Sequence, residues 1–173
     1  MRPKAILIAF LSTLTLPQNA IGDPPAYTNA NIQGQYKCFL TAYSLPAKAN
    51  QPFAATATGD ITSVADGNGK LTSGTWDHTI DAPGLHVECK LALSAGTYSI
   101  NSDGTGSENT KWQLTKSDSS PQCATYFPDS APAGNAEIVV TDPSGKIFYT
   151  SSLSPFAILA VACQKSDFSP AAQ

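Results

Sequence analysis

The sequence predicts an all-β fold, an antiparallel up-and-down barrel of about eight strands, with a two-sheet β-sandwich as the competing architecture. Three observations predict it. Apolar residues alternate with period two in segments bounded by Gly, Asp, Asn and Pro, and no helical period competes over comparable length. The turns repeat: GDITSVADGNG at 59–69 aligns without gaps on GTYSINSDGTG at 96–106, placing Asp66 on Asp103, and a third turn keeps Asp142 with Gly145 three residues on. An Asp carboxylate accepts backbone N–H groups two residues ahead and a Gly supplies the positive φ of a tight hairpin, so these are hairpin turns. Four widely spaced cysteines supply the third observation, because barrel closure gives them a pairing.

Taken in order, Arg2 and Lys4 precede an apolar run at 5–16, stopped by Pro17 and followed by the small residues Ala20 and Gly22, which is the pattern of a secretory signal peptide over 1–22. The run is shorter than the roughly 20 apolar residues of a membrane span. A Pro-, Asn- and Ala-rich leader at 23–31 reads as loose, a single barrel domain covers 32–168, and 169–173 form a tail. Strands are predicted near 34–43, 53–65, 71–80, 86–100, 105–116, 123–127, 135–141, 146–152 and 156–164. Within 86–100 the apolar parity passes from odd positions (Val87, Leu91, Leu93) to even ones (Tyr98, Ile100), which predicts a bend or bulge at 94–96.

Removing Arg2 and Lys4 reduces ten basic residues to eight, all Lys, against thirteen Asp and Glu, a net charge of minus 5. Nucleic-acid and anionic-membrane binding need clustered cationic side chains and are disfavoured. Export places Cys38, Cys89, Cys123 and Cys163 where thiols oxidise. The closest two cysteines stand 34 residues apart, which does not suit zinc. Closure makes the first and last strands neighbours and pairs Cys38 with Cys163; Cys89 with Cys123 follows by elimination, and folding 89–123 about Asp103 and Gly104 brings them near each other.

Gly34, Gln35 and Tyr36 open the first strand much as a Gly-x-Trp opens the lipocalin and avidin barrels, and the chain resembles the calycin-like barrels on that ground. Tyr36 stands where those barrels carry Trp, and Lys165 is the basic residue near the last strand that could pack across it. The 96–106 hairpin resembles one that recurs in small secreted bacterial proteins. The resemblance implies a small β-barrel whose interior is either filled by its own side chains or holds one small molecule.

The densest polar cluster is the hairpin from Trp76 to Glu88, which holds both histidines. With Ala82 and Pro83 central, Thr79 faces His86 and Asp77 faces Glu88. With Pro83 and Gly84 central, Asp81 faces His86 and Asp77 faces Lys90. Either way Asp77, Thr79, Asp81, His86, Glu88 and Lys90 share one face and Trp76, His78, Ile80, Leu85, Val87 and Cys89 the other. The histidines part, so no metal centre and no cofactor is expected. No hydroxyl nucleophile with a histidine base stands out and no catalytic residue is assigned; among carboxylates, Glu137 lies beside the apolar run 138–140.

The candidate interior residues are Tyr36, Trp76, His78, Tyr98 and Trp112. For Tyr98 and Trp112 to share a face, the turn between their strands must hold an odd number of residues or a bulge. The last strand, 156–163, is apolar on both faces, so something covers its outside. The expected function is therefore a secreted or periplasmic binding protein of calycin-like type whose ligand class is open, its partner a small apolar molecule or another protein. A calycin-like isomerase enclosing its substrate around His78 and a protein-interaction module using 156–163 are the alternatives.

Overall fold

A computed structural model describes residues 26–44, 55–129, 133–153 and 157–166. The signal segment 1–22, the start of the leader and the tail 169–173 lie outside the described residues. Eight strands close into one antiparallel barrel in chain order: β1 Gln33–Ser44, β2 Thr56–Asp66, β3 Leu71–Ala82, β4 Leu85–Ile100, β5 Thr105–Leu114, β6 Gly134–Val140, β7 Ile147–Leu153 and β8 Ala157–Lys165. Each strand pairs with its neighbour, and β1 with β8 completes the ring.

Alternation sets the two faces. In β4, Val87, Cys89 and Leu91 are buried on the odd positions and Tyr98 and Ile100 on the even ones. The register shifts between Leu93 and Ala95, where the parity change places the bulge. The pairing Ile100 with Gly106 leaves five residues, 101–105, in the connecting turn, so Tyr98 and Trp112 both face inward. Asp81 pairs with His86 and Asp77 with Lys90, the register with Pro83 and Gly84 in the turn.

Closure brings Cys38 directly opposite Cys163, and the two are joined with their Cα atoms 4.0 Å apart. Cys89 is joined to Cys123. By loop-closure entropy each bridge contributes on the order of 3 to 5 kcal/mol.

One predicted strand is not a strand. Residues 123–127 contain the short helix Cys123–Tyr126, closed by the Phe127 N–H donating to the Cys123 carbonyl at 2.8 Å. A short apolar run does not distinguish strand from helix by its period, and the edge of β4 that such a strand would pair is already occupied. Beyond Leu114, Thr115 N–H donates to the Lys90 carbonyl and Ser120 N–H to the Glu88 carbonyl.

The three Asp turns lie at one end of the barrel, and each uses its carboxylate as expected. Asp66 accepts from the Asn68 and Lys70 N–H groups, Asp103 from Thr105 and Asp142 from Ser144, which holds all three below the usual carboxylate range. In the second turn the positive φ belongs to Gly104, one residue after the Asp, rather than to Gly106.

The same end is sealed by part of the leader that the sequence suggests is loose. A 3₁₀ turn at Asn29–Asn31 crosses it. Asn29 Oδ1 accepts from Ile100 N–H, Asn31 Nδ2 donates to the Pro143 carbonyl, and Tyr27 N–H donates to the Ser102 carbonyl. Below that clasp Ile32 and Tyr36 are fully buried. Tyr98 donates from its hydroxyl to the Ile32 carbonyl at 2.6 Å and Tyr36 to the Gly145 carbonyl at 2.8 Å. Gly145 meets the clasp so closely that a Cβ there would fall 1.5 Å from the Asn31 carbonyl oxygen.

Candidate functional site

Toward the other end the barrel is hollow. A cavity of about 280 Å³ is lined by inward residues of most strands, together with Phe127 from the β5–β6 connection. Its apolar wall includes Leu40, Trp76, Trp112, Phe127 and Phe148, and the Cys38–Cys163 bridge lies in it. Its polar wall is formed by Glu108 and Thr110 of β5 and Thr150 and Ser152 of β7.

The aromatic part is built around Trp76. Its ring meets those of His78, Trp112 and Phe127 edge to face, with centroids 4.6, 5.6 and 5.7 Å away. Gly59, on the neighbouring strand, makes room for this indole: a Cβ there would lie 2.6 Å from Trp76 Nε1. Phe127 is held at the mouth because Cys123, four residues before it, is tied to β4.

Of the five residues the sequence places inside, Tyr36, Trp76, His78 and Tyr98 are buried and Trp112 is half-buried. They do not form one site. Tyr36 and Tyr98 belong to the sealed end, while Trp76 and Trp112 line the cavity. His78 packs between Trp76 and Phe127, its ring 5.2 Å from that of Phe127, and forms no part of the cavity wall. Burial lowers its pKa to about 4, so the imidazole is neutral at neutral pH. Among the described residues, neither its Nδ1 nor the Trp76 Nε1, both buried, has a hydrogen-bond partner.

The ionisable group that does face the cavity is Glu108, which the sequence reading passed over. Desolvation pushes its carboxyl up to about 7, and a hydrogen bond from Thr150 offsets part of that cost. The side chain keeps some surface because it borders the cavity, but protein surrounds it on its other sides. The carboxylate singled out by the sequence, Glu137, points outward: it pairs with Ser107, so the inward position at that level is Glu108, opposite Ala136. A signal for Glu108 exists in the sequence, since counting back from Trp112 in steps of two reaches it.

On the outer face His86 Nδ1 lies 2.6 Å from Asp81 and its Nε2 3.5 Å from Glu88; the side-chain hydrogen bond to Asp81, then that to Glu88, raises its pKa. Among the described residues no three His, Cys, Asp or Glu side chains converge as a metal site would require. Two disulfides belong to a non-reducing environment, and no helix among the described residues is long and apolar enough to cross a membrane.

Comparison with protein-family models and with curated proteins finds no match. The likeness to the calycin barrels rests on architecture, with which the closed eight-stranded up-and-down barrel is compatible.

Proposed function

We propose that the protein is a secreted or periplasmic binding protein that takes a small, largely apolar molecule into the barrel. The observation that carries this reading is the cavity: an eight-stranded barrel can be filled by its own side chains, and this one leaves about 280 Å³ bounded by apolar and aromatic side chains, one carboxyl and a few hydroxyl and amide groups. Apolar walls with few polar groups are the usual composition of a small-molecule site. Export fits both the disulfides and the N-terminal signal pattern.

The test is titration with an environment-sensitive apolar dye, followed by its emission and by quenching of Trp76 and Trp112, the only two tryptophans in the chain. Saturable binding near one dye per barrel is expected, and Thr110→Phe, which fills the cavity from its wall, should abolish it while the fold persists. Absence of saturable binding to the wild-type protein overturns the reading.

The enclosed-substrate isomerase has less support, because His78 lies outside the cavity wall. The protein-interaction reading keeps a specific observation. On the outside of the barrel Phe39, Val139, Ile147, Tyr149 and Ile158 are exposed, at 40 to 54 % of their full area, on four strands adjacent around the ring. This outer face extends the apolar strand 156–163 on both sides. Sedimentation of Tyr149→Lys against wild type tests it: self-association lost in the variant supports an interface, and a wild type that is monomeric and binds no protein on this face removes it.

A further inference from the structure

Among the described residues Glu108 is the one acid of the cavity wall, and no Lys, Arg or His side chain lines that wall to neutralise it. Its neighbour is Thr150, buried to 4 % exposure, whose hydroxyl supplies a hydrogen bond but no charge. Four residues further along the same face of β5 stands Trp112, about 13 Å away along the strand, in edge contact with Trp76. The cavity is therefore polarised along its length, with an acid at one level and indole and phenyl rings at another. An acid without a counter-charge in apolar surroundings is costly when ionised, and a ligand cation removes that cost. A neutral ligand could only accept from or donate to the carboxyl, and an anion would be repelled.

We propose that the molecule taken up is a primary arylalkylamine, its ammonium seated on Glu108 and its ring among Trp76, Trp112 and Phe127. The assignment rests on the cavity being a binding site, and it names what that site selects. A short alkyl chain is required because acid and rings stand at different depths. A compact ammonium ion alone would find the carboxylate but leave the aromatic wall unused. A hydrocarbon alone would do the reverse.

The experiment uses three probes of one skeleton, 4-phenylbutylamine, 4-phenylbutan-1-ol and 4-phenylbutanoate, titrated by calorimetry and tryptophan emission into wild type and Glu108→Gln at neutral pH. In the wild type the amine should bind at least ~10-fold more tightly than the alcohol, and the carboxylate no better than the alcohol. In Glu108→Gln the amine should lose ~10-fold or more while the alcohol stays within about 3-fold, since the amide keeps the shape and removes the charge. The wild-type ratio requires no variant to fold. An alcohol that binds as tightly as the amine, or an amine preference that survives Glu108→Gln, overturns the amine assignment and leaves the cavity reading standing. Failure of all three probes to reach the tryptophans overturns both.

Discussion

At the end crossed by Asn29–Asn31, the phenols and the clasp amides have partners and the turn carboxylates accept backbone N–H groups. Toward the mouth Trp76 Nε1 and His78 Nδ1 are buried without partners among the described residues, and deeper in the cavity, opposite Tyr98, Glu108 is desolvated. The same eight strands serve both ends, so the difference lies in what fills them. One end spends its inward positions on Ile32, Tyr36, Tyr98 and Ile100, packed to closure. Along the cavity Thr110 and Ser152 stand where apolar side chains would have filled the barrel, and Ser63 does so directly opposite Tyr36, where the two regions meet. Hydrogen bonds tie the phenols and the clasp together at the sealed end, and the desolvated acid faces the cavity.

The largest effect should come from Tyr36→Ala. The ring is fully buried, meets Phe148 edge to face at 4.9 Å, and carries the hydroxyl that holds Gly145. Truncation should cost about 3 to 5 kcal/mol, read as a fall in the urea midpoint. Trp112→Ala, which enlarges a space that already exists, should cost clearly less. Equal losses would mean that the cavity is not an open space in solution.

Removing the tether comes next. Cys89→Ala with Cys123→Ala should cost about 3 kcal/mol and release Phe127 from the mouth. Limited proteolysis should then cut within 115–129 while the eight strands persist by circular dichroism. General cleavage of the barrel would instead make this connection part of the core.

Much of the sealed end was legible in the sequence and much of the mouth was not, for physical reasons. Tyr36 and Tyr98 sit in strands whose apolar alternation marks their inward face, and the Cys38–Cys163 pairing follows from ring closure, leaving Cys89 for Cys123. The clasp escaped because it is made of Asn side chains and backbone groups, which have no period to read. Glu108 escaped because the inward positions of β5 are Gly106, Glu108, Thr110, Trp112 and Leu114, three of which are not apolar. A strand that lines a cavity loses the alternation by which a core strand is recognised. The function of such a wall is thus least visible where it is most specific.

Two interior ionisable groups that titrate in the acid-to-neutral range, Glu108 and His78, sharpen the comparison by pH. The folded-state pKa of Glu108 is raised from 4.5 to about 7, so the folded state is favoured by protonation: stability is highest below about 4.5 and falls as pH rises to about 7. The folded-state pKa of His78 is lowered from 6.5 to about 4, so its contribution is present above 6.5 and is lost as pH falls toward 4. The slopes oppose each other between 4.5 and 6.5. Glu108→Gln should therefore gain most over wild type at pH 8, and His78→Phe most at pH 4.5, by up to about 2 to 3 kcal/mol each. Urea melts at the two pH values separate them; a gain for either variant that is the same at both values breaks the assignment of that group.

The smallest change tests whether the two ends are independent. Tyr36→Phe keeps the buried ring and its contact with Phe148, and removes only the hydroxyl that donates to the Gly145 carbonyl. The cost should be about 1 kcal/mol, a fall in Tm of about 2 to 4 °C for a domain of this size. Because Gly145 lies against Asn31, amide hydrogen exchange in the clasp should accelerate in the variant. Along β1 the cavity is lined by Cys38 and Leu40, and Tyr36 lies one step of alternation deeper than Cys38 and outside that wall, so dye affinity should stay within about twofold. A parallel loss of affinity would show that the clasp sets the shape of the cavity, and the sealed end would then belong to the binding machinery.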